Sequence, residues 1–282
     1  MAKKENDVIT GTEKEFMDRF NKLTMRRSDW QVWSDLMAVM ACSIANIFDP
    51  NTDRKTKREE EYSSCMERLE NEEIPAQMLA VVTNALENNP EQDFLGQMFM
   101  NLNLGSHWKG QFFTPFHVSQ MMAQINLPED TVKKEIENRG WISVNDPACG
   151  AGSMLIAAAS VLKKNGINYQ QNVAIIANDI DRVAAQMCYI QLSILGCPGY
   201  VVVADTLTDP VTGSVLFPEE KTTQEFWYTP MWWFSEAWTL RRLSYVMDAL
   251  TCKNKEEHYK FYFDFGDVSN SQLMDDDYKK AV

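Results

Sequence analysis

The chain has 282 residues, 45% of them hydrophobic, a length that suits one large or two small domains with a proper buried core. Its formal net charge of −13 opposes binding a polyanion through bulk electrostatics, so any contact with DNA needs a local basic patch or a basic partner. Six cysteines, at 42, 65, 149, 188, 197 and 252, lack CxxC spacing, and His107, His117 and His258 are dispersed, which argues against a zinc set or a disulfide framework.

The opening "MAKKENDVIT" has no apolar h-region, and no apolar run is read as approaching the roughly 18 residues of a membrane span. A soluble, cytoplasmic protein without membrane contact is expected. Residues 12–48 carry helical periodicity, with Phe16, Phe20 and Leu23 followed by Trp30, Trp33, Leu36, Met37 and Met40. The run "DRKTKREEE" reads as a solvated helix start or loop. Amphipathic segments at 62–71, 75–87 and 92–102 complete a predicted helical domain over residues 1–107.

The texture changes after Gly110. "WISVNDPACGAGSMLIAAASVLKK" is a short apolar run, a glycine turn and an Ala-rich helix; "NVAIIANDIDRVAAQMCYIQLSILG" repeats the plan, and "GYVVVADTL" adds a third buried strand. Such alternation predicts an α/β fold with a parallel, doubly wound sheet over residues 108–282. From 209 the pattern weakens into a loop, a short strand with the aromatic-rich helix "EFWYTPMWWFSEAWTLRRLSYVMDAL", an alternating stretch "YKFYFDFGD" and an acidic tail.

In an open α/β sheet, ligands bind beyond the carboxyl ends of the strands. Three predicted strand ends carry acids, Asp146, Asp179 and Asp205, and Gly150-Ala151-Gly152 lets the backbone approach a ligand at a helix N-terminus. Together they favour a nucleoside-bearing cofactor. The G-x-G-x-x-G/A dinucleotide pattern fits poorly, because Leu155 occupies the sixth position and Asp179 lies far from the glycines. An acid at the first strand end would repel a pyrophosphate but suits the cationic methionine portion of S-adenosylmethionine. An acid at the second can accept from ribose hydroxyls, and one at the third can meet the adenine amine. The alternative is that all three are turn and N-cap aspartates.

"GQFFTP", "DPACGAGSMLI", "NDID" and "ADTL", in this order over residues 105–210, resemble the amino-methylating DNA methyltransferases, specifically the modification subunits of type I restriction systems. The resemblance implies a Rossmann-like, S-adenosylmethionine-dependent fold behind an N-terminal helical domain, and adenine-N6 DNA methylation with a specificity subunit and other modification-system partners. By the same likeness, Gln111, Phe112, Phe113, Thr114 and Pro115 form a loop over the cofactor, with Phe112 or Phe113 stacking on adenine. Asp146 and the turn Gly150, Ala151, Gly152 and Ser153 hold the methionine end, Asp179 the ribose and Asp205 the adenine.

Two departures stand out. Phe116 follows the Thr-Pro step where the family often has a basic residue, and the chain has no Pro-Pro pair. These enzymes flip the target base and hold its exocyclic amine with an Asn, Asp or Ser, two prolines and an aromatic. The amine needs this because its lone pair is conjugated with the ring; acceptors orient the amino hydrogens while the aromatic stacks on the base. The nearest candidates are Thr229, Pro230 and Trp232, in which Met231 replaces the second proline. The surrounding aromatics, Phe226 to Trp238, read as a packing helix or as a nucleic-acid stacking platform, and Arg241 and Arg242 as phosphate contacts or carboxylate partners. Asp264 and Asp267 only superficially match a kinase metal motif. A complete sheet of this kind has seven strands, so the region after 210 is expected to be truncated or degenerate. Two readings follow: a DNA adenine-N6 methyltransferase, or a cofactor-binding but catalytically silent relative acting as a regulatory or DNA-associated protein.

Overall fold

The computed structural model describes residues 11–25, 27–104 and 113–251, with side chains through Asp248. The chain opens on five helices: α1 (Gly11–Thr24), α2 (Asp29–Phe48), α3 (Thr52–Leu69), α4 (Ile74–Asn88) and α5 (Phe94–Asn101). The periodicity over 12–48 therefore belongs to two helices, and the break falls where Ser28 takes an extended conformation ahead of α2. Phe16, Phe20 and Leu23 line one face of α1, and the Trp33 ring meets Phe16, Phe20 and Phe99 edge-on at 5.8 to 5.9 Å. α2 corrects one sequence expectation. Its 20 residues are long and apolar enough to cross a membrane by composition, yet 61% of its most apolar window is buried inside the molecule, as in the core helix of a folded domain.

The charged run after α2 forms the first turns of α3, capped by the Asn51 side chain accepting from the Arg54 backbone N–H. Two of its cations turn inward. Arg58 is buried, donating to Asp49 at 2.7 Å and to the Phe226 carbonyl at 2.7 Å; Arg54 pairs with the same Asp49 at 2.8 Å.

After α6 (Phe116–Asn126) and α7 (Glu129–Arg139) comes the α/β region: β1 (Ile142–Asp146), α8 (Ser153–Lys164), α9 (Tyr169–Asn172), β2 (Val173–Asp179), α10 (Arg182–Ile194) and β3 (Gly199–Val203). A small hairpin follows, β4 (Thr212–Gly213) with β5 (Pro218–Glu219), then β6 (Glu225–Tyr228), α11 (Pro230–Phe234) and α12 (Glu236–Thr251). The main sheet runs β1-β2-β3-β6, parallel across the first three strands and antiparallel at β6. It is thus a mixed α/β structure with a mostly parallel sheet. No reversal of strand order occurs among the described residues, and none of their strands pairs with the outer edge of β1.

Strand composition follows this position. β2, covered on both faces, is buried from Val173 through Asn178, whereas β1 alternates, with Ser143 and Asn145 exposed. One face of the sheet shares a continuous core with α8, α10 and all five N-terminal helices. The other face carries Ala174, Ile176, Tyr200, Val202 and Phe226 beneath Trp232 and Trp238. The boundary drawn at 107/108 lies outside the described residues, as do "YKFYFDFGD", with Asp264 and Asp267, and the acidic tail.

Candidate functional site

The parallel register brings the three strand ends to one side of the sheet. Asp146 lies opposite Ala177, Asp179 lies opposite Val203, and Asp205 follows β3 by two residues. The loops above them are tied together. The Asp179 carboxylate accepts from Gly150 N–H at 2.8 Å and from Asp181 N–H at 2.8 Å, Cys149 N–H donates to the Asn178 carbonyl at 2.8 Å, and the Thr206 hydroxyl donates to the Pro147 carbonyl at 2.7 Å. Side chains 59 and fewer positions apart in sequence thereby form one rim.

The glycine turn is shaped by its neighbours. Gly150 (φ +54°) and Gly152 (φ +97°) hold left-handed conformations, and a Cβ on Gly150 would sit 2.8 Å from the Phe113 ring. Gly152 is also the N-cap of α8 and has no side chain to accept from the first-turn amides, which leaves those donors for a ligand. Ala151 is buried, with its carbonyl accepting from the Gln191 side chain at 2.8 Å. Ser153 is turned away from the rim: its hydroxyl pairs with Ser119 of α6 at 3.0 Å in a buried contact, so only its backbone faces the turn.

Each aspartate serves its own loop as well. One Asp146 oxygen accepts from Ala148 N–H at 3.1 Å, and Asp205 accepts from Leu207 N–H at 2.9 Å and Thr208 N–H at 3.3 Å. The turn-forming reading is therefore true of all three, and what separates them is the remaining capacity. The second oxygen of Asp146, Oδ2, is buried without a hydrogen-bond partner among the described residues. Burial, and then the charge of Asp179, push the Asp146 carboxyl above its ordinary range despite the bond from Ala148. Burial likewise raises Asp179, against the opposing bonds from Asp181 and Gly150. Asp205 is held low by the Thr208 side chain and the Leu207 N–H. Uncompensated buried acceptors are rare, so this oxygen has capacity for a further donor.

Of the segment expected to cover the site, Gln111 and Phe112 lie outside the described residues. Phe113 is wedged between Gly150 and Phe99, 5.1 Å from the latter ring, and packs on the main core. Its ring anchors the segment against the glycine turn. Thr114 and Pro115 are exposed, and the Pro115 carbonyl accepts from Val118 and Ser119 to start α6. His117 is an exposed first-turn residue of that helix.

Thr229, Pro230 and Trp232 are not part of this rim. β6 runs against β3, pairing Glu225 with Val203 and Tyr228 with Tyr200, so Thr229 emerges beside Gly199 at the amino end of the sheet. There its hydroxyl meets the Gly199 N–H and carbonyl at 3.1 and 3.2 Å, and Thr229 and Trp232 are both buried. Most of the aromatic cluster is packing, with Phe226, Trp227, Tyr228, Trp232 and Trp238 buried, whereas Phe234 is exposed. Arg241 donates to the Gln171 and Gly140 carbonyls and Arg242 to that of Trp232, each guanidinium lying over a tryptophan ring, so both arginines staple helix ends.

Two residues escaped the sequence reading because lone apolar residues in loops carry no pattern. Ile180 and Leu207, one and two positions beyond Asp179 and Asp205, are 70% and 93% exposed and set apolar surface beside the acids. Asn178, buried with its side-chain nitrogen unpartnered among the described residues, is a third.

The family described as N-6 DNA Methylase matches residues 93–261, more than half of the chain, a span that begins at the cap of α5 and contains the whole rim. Comparison with curated proteins and with solved structures gave no match. With the glycine turn, the three acids and the parallel strands inside the matched span, the chain belongs to the N-6 DNA methylase family.

Proposed function

We propose that the protein is an S-adenosylmethionine-dependent DNA adenine-N6 methyltransferase of the type I modification-subunit kind, with a Rossmann-like cofactor domain behind a helical N-terminal domain. The observation that carries the cofactor assignment is Asp146 Oδ2, a buried acceptor without a partner among the described residues, next to the first-turn amides of α8, which no side chain caps. An acceptor beside an amide cluster suits the ammonium and carboxylate of the methionine end. Asp179, which braces Gly150 N–H and Asp181 N–H, would accept from ribose hydroxyls with its remaining capacity. Ile180 and Leu207 offer apolar contact to the adenine ring, with Asp205 beside its amine. When bound, the cofactor supplies an electrophilic methyl group on a sulfonium centre. The chain's residues hold and orient it, and the acids offset its positive charge.

The target base is assigned to no described residue. Among the described residues no strand pairs with the outer edge of β1, which adjoins Asp146, and the net charge of −13 disfavours unaided approach to DNA. Both support dependence on a specificity subunit that brings the DNA. Calorimetry with S-adenosylmethionine, and tritiated-methyl transfer to unmethylated DNA with and without that subunit, test the reading. Absence of binding sinks the cofactor assignment. Binding without transfer under every partner condition makes the chain a silent, regulatory relative.

A further inference from the structure

Gln191, on α10, is fully buried and uses its amide to join three parts of the molecule distant in sequence. Its Nε2 donates to Asp93 Oδ1 at 2.8 Å and to the Ala151 carbonyl at 2.8 Å, and its Oε1 accepts from Leu95 N–H at 3.1 Å. Asp93 caps α5 through Gly96 N–H at 2.8 Å, and its other oxygen occupies the space a Cβ on Gly96 would need. Asp93 has no cationic partner among the hydrogen bonds described, and burial lifts its carboxyl above the ordinary range despite the bonds from Gln191 and Gly96. A buried network of this kind is costly unless its members are satisfied, and here Gln191 supplies a partner to Asp93, to Leu95 N–H and to the Ala151 carbonyl.

Ala151 is the central residue of the glycine turn, between two left-handed glycines that give the turn little intrinsic rigidity. The same turn is gripped from its other side through Gly150, Phe113 and Phe99, and Phe99 lies on α5 as well. α5 therefore reaches the turn twice, once by polar and once by aromatic contact.

We propose that Gln191, oriented by Asp93, is a positioning residue that holds the Gly150–Gly152 turn in its ligand-ready shape and so sets cofactor affinity without touching the cofactor. The proposal rests on the cofactor reading given above.

The test compares three variants with wild type. Gln191→Met keeps length and burial but leaves the Ala151 carbonyl without its donor; its affinity for S-adenosylmethionine by calorimetry is expected to fall about tenfold. In the ligand-free variant, amides 149–153 are expected to exchange hydrogen faster than in wild type. Asp93→Asn retains an acceptor oxygen for Gly96 and Gln191 and is expected to keep affinity within about twofold. Thr229→Val, at the opposite end of the sheet, removes a buried hydroxyl and is expected to lower Tm while leaving affinity unchanged. Should Gln191→Met fail to fold, Gln191→Asn, one methylene shorter, takes the same measurements. Equal exchange of 149–153 in wild type and variant overturns the proposal. So does an affinity loss in Thr229→Val that tracks its loss of Tm as in Gln191→Met. Failure of wild type to bind S-adenosylmethionine overturns the cofactor reading instead, while the ligand-free exchange still judges Gln191.

Discussion

At the scale of single residues, Asp146 has a buried carboxylate oxygen, and that burial costs the fold. Its carboxyl is pushed upward by burial and by Asp179, so between the unfolded value near 3.9 and the raised one the folded chain holds more protons than the unfolded chain. Stability from this group is therefore present at low pH and lost as pH rises through that window. Replacing it by Asn removes the charged form, and the ligand-free Asp146→Asn protein is expected to melt roughly 2 °C higher at pH 7, a gain of about 1 kcal/mol read by calorimetry. The same change should weaken S-adenosylmethionine binding about tenfold or more. In wild type, affinity should decline with falling pH at a higher pH than an ordinary carboxylate would give, and Asp146→Asn should flatten that profile. A variant that loses both stability and binding would mark Asp146 as a turn residue alone.

At the scale of elements, the helices before the sheet are fastened to it by buried charge. Arg58 and Arg54 of α3 converge on Asp49, and Arg58 also caps the Phe226 carbonyl on the outer strand β6. Burial pushes Asp49 upward, but the bonds from Arg54, Asn51 N–H and Arg58 outweigh it and hold the carboxyl below its usual range. Its contribution is thus present above the unfolded value and lost as pH falls through the lowered one. Arg182 adds a bridge from α10 to Glu61 of α3 and Glu225 of β6. Removing one partner of a buried pair leaves the other charge unpaired, so Arg58→Met is expected to destabilise by about 3 kcal/mol in denaturant melts. The remaining Arg54 keeps the loss at the low end of the range. α11 behaves differently. Trp232 stacks on Trp238 beneath the sheet, and Trp232→Ala is expected to cost about 3–5 kcal/mol of stability while the folded fraction keeps its cofactor affinity. A selective loss of methyl transfer at full stability would restore this segment as the target-base loop.

At the scale of the whole molecule, charge sets the terms for meeting DNA. With a net charge of −13, bulk electrostatics oppose a phosphate backbone, and Arg54, Arg58, Arg182, Arg241 and Arg242 are each bonded to internal partners. Fluorescence anisotropy at about 0.15 M salt should show non-specific duplex binding weaker than about 10⁻⁴ M for the chain alone. Tight, steeply salt-dependent binding by the isolated chain would contradict a partner-dependent mode.

The sequence by itself determined the elements whose signals are local. Ala-rich α8, the β-branched runs of β2 and β3, and the Gly150 to Gly152 turn declare themselves through periodicity and backbone freedom within a few residues. It also placed Asp146 and Asp179 at strand ends and Asp205 just past a third, two residues beyond where β3 stops, which in a parallel sheet puts them on one side. What it left open depends on contacts between distant segments. Trp232 reads equally as a stacking or a core residue until the antiparallel register of β6 carries it to the far end of the sheet. Arg58 reads as surface charge until Asp49 and Phe226 enclose it, the Ser153 hydroxyl has no evident partner until Ser119 meets it, and Gln191 reads as an ordinary helix residue until Ala151 and Asp93 converge on it. In each case the deciding partner lies at least nine positions away in sequence, and more than thirty in most. Only tertiary packing decides which polar groups lose water, and therefore which must find one another.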